Sequence, residues 1–137
     1  EGVVAEIILF IFGSGLVARL GPSGMVVLGG LAGTLRWLMT GDAYGLPLLV
    51  VLQALHAFTF GATHLGAIYF IYRRFPKNLS ASAQGVYSAL VMGLALGLAM
   101  FASGKLYSLF GPNAYYVMAL MAAVGTILAI FLTAYRR

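Results

Sequence analysis

The sequence predicts an all-α integral membrane protein, a polytopic bundle of transmembrane helices. Of its 137 residues, 62% are hydrophobic and only 8% are charged, whereas soluble domains carry about 25% charged residues. The apolar residues form long continuous runs, unlike the alternating pattern of a membrane β-barrel strand. A soluble core of this size has no room for so much apolar surface, so we expect that surface to face lipid.

Five apolar segments follow one another, and we interpret each as a transmembrane helix. Most reach the roughly 20 residues that a helix needs to cross a bilayer. Short links rich in Gly and Pro separate them, which makes successive helices antiparallel. The chain starts at Glu1 inside an apolar run, which we interpret as a cut within a larger protein. The segments are residues 3–18, 24–40, 47–72, 84–110 and 114–135.

Basic residues predict the orientation of these helices. The net charge of +5 is gathered at segment ends and does not form a nucleic-acid-binding patch. The positive-inside rule makes the basic side cytoplasmic in a cell (inner) membrane. The opposite side carries Asp42, with Lys105 near it and an expected aromatic belt of Tyr107, Tyr115 and Tyr116. The cytoplasmic residues are Arg19, Arg73, Arg74, Lys77, Arg136 and Arg137.

Four strongly polar side chains lie inside the apolar segments: Glu6, Arg36, His56 and His64. Such groups are rare in membranes because a charged one costs about 3 kcal/mol at the helix centre. Counting about 1.5 Å per residue gives Glu6 and Arg36 the same depth on antiparallel neighbours. We expect these two to pair, with the histidines above and below them. A purely structural clamp between Glu6 and Arg36 is the alternative interpretation.

The third segment carries one polar stripe on an otherwise apolar helix. Its members fall within an arc of roughly 100° at helical periodicity, which predicts a face toward the bundle interior or a water-filled cavity. Either histidine alone also fits a packing role, bonded to a carbonyl of the next helix. Trp37, Phe58 and Phe60 also fit lipid-facing or core positions. The stripe consists of Gln53, His56, Phe60, Thr63 and His64.

Spacing excludes most catalytic chemistry, so no catalytic residue, metal or cofactor is predicted. The chain has no cysteine and no HExxH, GxSxG or Walker motif. His56 and His64 lie roughly 12 Å apart along one helix, too far to share a zinc ion with ligands at about 2.1 Å. A carboxylate, a guanidinium and imidazoles remain, a set suited to proton handling.

The fourth segment carries small residues at four-residue steps. This small-residue ridge, defined as Gly85, Ala89, Gly93 and Gly97, allows close approach of a neighbouring helix. We interpret it as a helix-packing surface, with a sliding surface as the alternative.

Three pieces occur in order along the chain: Ala5-Glu6, Leu35-Arg36-Trp37, and a block with Gln53, His56, Gly61 and His64 at their spacing. Together they resemble major facilitator superfamily transporters of the phenylpropionate permease type, which are similar to lactose permease. The resemblance implies that the five segments are helices eight to twelve of a twelve-helix fold, a partial C-terminal half. It then implies that helix seven and the N-terminal half are missing.

The resemblance also implies roles for the polar residues. Glu6, Arg36 and His56 would couple proton movement to transport, and Gln53 would belong to the same set. Phe60, Thr63 and His64 then line the substrate cavity with Gln53. The link at residues 15–21 lacks the acidic residue that the superfamily often has there, so gating contacts are not transferred to it.

We therefore expect part of a proton-coupled symporter of a small organic solute, working by alternating access. Aromatic acids, sugars and nucleosides all fit. Its partners would be the lipid bilayer, protons, the substrate and the missing N-terminal half, with no nucleic acid. The alternatives are a small membrane interaction or assembly subunit without transport activity, and half of a proton-driven drug exporter.

Overall fold

The computed structural model describes residues 2–42 and 45–134, and these are helical apart from short turns. Two π-helical turns, Phe58–Ala62 and Ala89–Ala95, continue one helix into the next, and the 3-10 turn Gly111–Asn113 precedes the last helix. The predicted all-α membrane class is confirmed. The helices are α1 (Gly2–Gly41), α2 (Leu46–Ala57), α3 (Thr63–Arg74), α4 (Lys77–Ser88), α5 (Leu96–Phe110) and α6 (Ala114–Ala134). Glu1, Tyr135, Arg136 and Arg137, which figure in the predictions above, lie outside the described residues.

Three continuous helical stretches are long and apolar enough to cross a membrane: Val3–Gly41, Leu46–Arg74 and Lys77–Ala134. This count differs from the five predicted helices, because the first and third stretches each contain two of the predicted segments. Predicted segments one and two are joined in α1, whereas segments four and five meet at the Gly111–Asn113 turn.

The chain reverses direction within α1. Helices α2 and α3 form one continuous stretch, Leu46–Arg74, here called the α2–α3 rod. In the first leg of α1, Leu9 lies against Gly61 and Gly13 against Leu65, so this leg runs parallel to the rod. In its second leg, Gly29 lies against Thr63, and Arg36 contacts His56. Here residue numbers rise on one helix and fall on the other, so the second leg is antiparallel to the same rod. The two legs therefore form a hairpin, as the short predicted link required.

Gly21 makes this reversal possible. Its backbone has φ 70° and ψ 167°, and Pro22 follows it. Residues with a Cβ rarely adopt positive φ, whereas glycine does so readily. Proline can begin a helix because its missing N–H is not needed there. The Gly-Pro pair thus ends the first leg and starts the second.

The fourth predicted segment begins earlier than the apolar pattern indicated. Helix α4 starts at Lys77, directly after Pro76, whereas the apolar run starts only at residue 84. The backbone N–H groups of Leu79 and Ser80 donate to the Pro76 carbonyl oxygen. Helical geometry therefore begins in a polar stretch that hydrophobicity alone does not reveal.

The interior of the described bundle is small, and its outer surface is apolar. Leu9, Val17, Met25 and Ala62 form the buried core cluster, where the two legs of α1 meet the α2–α3 rod. Many large apolar side chains point outward, for example Leu109, which is 75% exposed. Surface of this kind is stable in lipid and not in water, which fits a membrane-embedded chain.

The small-residue ridge on α4 and the following turn faces away from the other described helices. A methyl group added at Gly85, Gly93 or Gly97 would meet no other heavy atom within 4 Å. The ridge therefore has no packing partner in the described part of the chain, and its packing role stays a prediction.

Candidate functional site

Three of the intramembrane polar residues meet at one point, where the α2–α3 rod contacts both legs of α1. Nη1 of Arg36 donates a hydrogen bond of 2.6 Å to Nδ1 of His56. On the other edge of the same imidazole, Nε2 lies 3.5 Å from Oε1 of Glu6. Within residues 2–42 and 45–134, Glu6 and Arg36 form no direct ion pair. His56 lies between them, so the expected pair becomes a three-residue chain.

Arg36 fixes the protonation pattern of His56 in this arrangement. A guanidinium has only donors and stays protonated in proteins, so Nδ1 of His56 must accept with its lone pair. The imidazole is then neutral, with its proton on Nε2, facing the carboxylate of Glu6. A second proton on Nδ1 would point at an N–H of Arg36 and break the bond. The imidazole therefore lies as an uncharged group between the guanidinium and the carboxyl group.

Partial exposure keeps this charged group accessible. The side chain of Glu6 is 21% exposed and that of His56 39% exposed. Close packing of the second leg of α1 on the rod sets the position of Arg36, because a methyl group at Gly33 would lie only 3.2 Å from Cγ2 of Thr59, closer than ordinary contact. The site is thus held by tight helix contacts on one side and open on the other.

A stack of rings continues from the cluster along the same rod. The rings of His56 and Phe60 lie 6.3 Å apart between centroids, and those of Phe60 and His64 lie 5.7 Å apart. The stack ends at Tyr87 on α4, whose ring is 6.0 Å from His64. This ring stack, His56–Phe60–His64–Tyr87, connects two helices and carries three groups with polar atoms.

A cavity of about 530 Å³ lies beside Arg36. Its walls include Arg36, Trp37 and Gln53, together with Tyr107 and Tyr115 from the α5–α6 hairpin. The guanidinium of Arg36 lies 4.3 Å from the centre of the Trp37 ring, a favourable cation–π geometry. Trp37 in turn stacks on Tyr115 at 5.9 Å. Arg36 thus contacts both His56 of the polar cluster and the aromatic-lined cavity.

The remaining predicted site residue, Thr63, has a different neighbourhood. Its side chain lies against Gly29 of α1, and its hydroxyl donates to the Thr59 carbonyl oxygen at 2.7 Å. These contacts put Thr63 at the interface between helices and outside the ring stack.

Three aromatic residues lie at the site although the sequence does not predict them there. The sequence favours a lipid-facing or core position for Trp37 and an outer aromatic belt for Tyr115, and in the structure both line the cavity beside Arg36. Tyr87 was not assigned to the site, although it ends the ring stack. The adjacency of Trp37 to an intramembrane arginine was the one sequence signal for the first of these. For Tyr87, the only sequence signal was its position between Gly85 and Ala89 of the small-residue ridge.

Comparison with known proteins gives the family. The model of the MFS_1-like family matches residues 1–118. The chain belongs to the MFS_1-like family, within the major facilitator superfamily of membrane transporters. It is also 36% identical over 121 residues to the "Probable 3-phenylpropionic acid transporter" of Escherichia coli (strain K12). No solved structure matches the chain.

The match extends over most of this chain but a minor part of the relative. It covers 88% of the chain and 32% of the Escherichia coli transporter, so the chain spans about a third of the length of that relative. The predicted resemblance to phenylpropionate permease-like transporters is confirmed. The chain is a multi-pass membrane protein of a transporter family.

Proposed function

We propose that this chain is part of a proton-coupled symporter that moves a small aromatic carboxylate across the cell membrane by alternating access. The supporting observation is the position of His56 between Arg36 and Glu6. Intramembrane groups of this kind are a recurring sign of ion and substrate pathways.

The charges of the cluster suggest how proton and substrate are coupled. With His56 neutral, the positive charge of Arg36 is balanced by Glu6 through the imidazole. A proton added to the Glu6 carboxylate leaves one positive charge without a counter-ion in the membrane interior. A substrate carboxylate restores the balance by pairing with Arg36, whose planar group suits bidentate contact. Protonation of Glu6 and binding of an anion then favour each other.

The cavity beside Arg36 supports an aromatic carboxylate over a sugar or nucleoside, because only the carboxylate brings a negative charge to the guanidinium. Trp37 and Tyr115 offer ring faces next to the guanidinium, and Gln53 adds an amide at the same wall. The matched Escherichia coli protein is named as a transporter of 3-phenylpropionic acid, a compound with a carboxylate and a phenyl ring. We propose that the carboxylate binds Arg36 and the ring packs on Trp37.

The proposal includes the wider setting of the chain. The chain forms part of the C-terminal half of a longer transporter, and further helices complete the cavity and pack on the small-residue ridge. The end with Arg19, Arg73 and Arg74 is cytoplasmic, in the inner membrane. The protein transports its substrate unchanged and is not an enzyme.

Replacement of Glu6 by glutamine in the full-length transporter tests the coupling role. Glu6→Gln keeps the shape of the side chain but cannot bind or release the proton. We expect loss of uphill uptake in vesicles with an imposed pH gradient, with exchange of labelled substrate retained. Glu6→Asp is the matched control, because it keeps a carboxylate and should retain part of the uptake. Full uphill uptake by Glu6→Gln would refute the role of Glu6.

The same vesicles distinguish the competing functions. Uptake of an aromatic acid, a sugar and a nucleoside is compared at one pH gradient, and only the first is expected to accumulate. A drug exporter would move substrate against the direction of proton entry, so reversal of the gradient separates it from a symporter. Absence of any flux, with the protein correctly inserted, would favour the assembly-subunit alternative.

A further inference from the structure

A second cavity, of about 290 Å³, lies between four helices near the end of the bundle that carries Arg73 and Arg74, here called the basic end. Its volume is at the lower end of the range for ligand pockets, about 300–1,000 Å³. Helices α1, α3, α4 and α6 all contribute to its wall. Neither Arg36 nor His56 lines it, so it is separate from the proposed transport site.

The wall of this cavity suits hydrocarbon and not water. Water needs about two to four polar partners to be held in a cavity, but the wall is mostly apolar, with side chains such as Val26 and Leu132. The hydroxyl of Thr133 already donates to the Ala129 carbonyl oxygen at 2.7 Å. Because Leu132 is 62% exposed, the cavity reaches the outer surface of the bundle, which faces lipid in a membrane. A lipid acyl chain is the occupant that matches these walls.

Helix α3 extends the cavity wall toward the basic end. Ala67, Phe70 and Ile71 line the cavity, and Arg74 completes the i, i+3, i+4, i+7 pattern of one helix face. The backbone N–H of Phe75 donates to the Ile71 carbonyl oxygen at 3.0 Å, so the helical register is regular through Arg74. Arg74 therefore lies on the cavity face of α3, one turn beyond the last apolar residue of the wall.

The cations at the basic end have no counter-ion nearby. Arg73, Arg74 and Lys77 are exposed, and none of them forms an ion pair with another residue that the structure describes. The whole sequence has three acidic residues, and none occurs after Asp42. An anion that balances these charges must therefore come from outside this part of the chain. Phosphate is suited to the role, because a guanidinium binds it in bidentate form.

We propose that the cavity and Arg74 together bind an anionic phospholipid, with one acyl chain in the cavity and the phosphate at the guanidinium. Basic pockets between transmembrane helices bind anionic head groups in this way. The positive-inside rule accounts for cations at one end of the bundle, but it does not require one of them to lie on the wall of an apolar cavity. An acyl chain in this position contacts four helices at once and stabilises their packing.

Lipid binding by the full-length protein in detergent tests the site. The probes are phosphatidylglycerol, which is anionic, and phosphatidylethanolamine, whose head group is zwitterionic. Native mass spectrometry gives the dissociation constant of the first bound lipid, and we expect it to be lower for phosphatidylglycerol. Arg74→Gln should raise that constant about fivefold, the contribution of one basic residue near an anionic surface. The measurement involves no transport, so its result is independent of the proposed symport.

Two further variants separate a specific site from general charge attraction. Arg73→Gln is the matched control, because it removes the same charge from the same helix end but about 100° around the helix from the cavity face. It should change the dissociation constant about twofold or less, as a screened surface charge does. Ala129→Leu keeps every charge and fills part of the cavity with a larger side chain, so it should also weaken binding.

Several results would overturn the lipid site. Equal weakening by Arg73→Gln and Arg74→Gln would mean that only net charge matters, and unchanged binding by Ala129→Leu would mean that no acyl chain enters the cavity. Equal affinity for the two lipids would contradict the charge complementarity. Displacement of phosphatidylglycerol by an equal concentration of inorganic phosphate would show that a free anion suffices. If Ala129→Leu does not fold, the comparison of the two exposed arginines decides alone.

Discussion

The guanidinium of Arg36 bonds to Nδ1 of His56 at 2.6 Å, and this contact determines where the imidazole carries its proton. Because Arg36 can only donate, His56 presents its N–H to Glu6 on the opposite edge. The neutral imidazole therefore couples Arg36 to Glu6 through its two ring nitrogens. A substitution of Arg36 should therefore alter the environment of the Glu6 carboxyl group, and a substitution of Glu6 should alter that of Arg36.

Arg36→Lys should impair transport although it keeps the positive charge. The guanidinium bonds to His56 and lies over the Trp37 ring at the same time, whereas an ammonium group is a point charge without a planar face. Loss of one hydrogen bond from a charged group costs about 1.5–3 kcal/mol. We expect uptake of the aromatic acid by the full-length transporter to fall about 10- to 100-fold, since each 1.36 kcal/mol is tenfold.

Trp37→Phe provides the control for this prediction. It keeps an aromatic face beside the guanidinium and leaves the bond to His56 intact, so uptake should change much less than in Arg36→Lys. Wild-type uptake by Arg36→Lys would mean that charge alone matters at this position, and the bidentate role proposed for Arg36 would be wrong.

Removal of both charges of the cluster should be better tolerated than removal of one. Arg36→Gln leaves the carboxylate of Glu6 without a counter-ion, and stranding a buried charge costs about 3–5 kcal/mol. The side chain of Glu6 is 21% exposed, so we expect the lower end of that range or less. The apparent melting temperature in detergent should fall in Arg36→Gln and recover in the double variant with Glu6→Gln.

A second double variant distinguishes this effect from a general change in net charge. Lys105 is an exposed cation on α5, with its ammonium 5.1 Å from the centre of the Phe101 ring. Combining Arg36→Gln with Lys105→Gln removes two charges but leaves Glu6 stranded, so the melting temperature should stay low. Equal recovery in both doubles would show that Glu6 and Arg36 are not energetically coupled.

The sequence predicted the members of the cluster better than their contacts. The energetic cost of polar side chains in a membrane identified Glu6, Arg36 and His56. The helical rise per residue placed Glu6 and Arg36 at a common depth. Depth says nothing of the direction in which a side chain points around its helix. That rotation is set by where backbones approach closely, as at Gly29 and Thr63, and it places His56 between the other two.

Contacts between helices limited the prediction further along the rod. A fixed step of 100° per residue places Thr63 on the polar stripe, but it does not predict that the side chain contacts Gly29 of α1. Tyr87 belongs to another helix, and nothing in its spacing indicates that it contacts His64. The end of the first leg of α1 was more predictable, since Gly21 and Pro22 impose a break through their own backbone chemistry.

Gly66→Ala should destabilise the protein, although alanine normally favours a helix over glycine by about 1 kcal/mol. A methyl group at Gly66 would lie 2.6 Å from the carbonyl oxygen of Pro22 and 2.9 Å from Val26. Backbone at the α1 turn cannot move aside as a flexible side chain does, so overpacking should cost about 1–3 kcal/mol. The melting temperature of the full-length protein in detergent should therefore fall. Gly15→Ala is the matched control, because a methyl group there meets nothing within 4 Å, and it should be neutral or slightly stabilising. If both variants melted alike, the turn at Pro22 would not pack closely on α3.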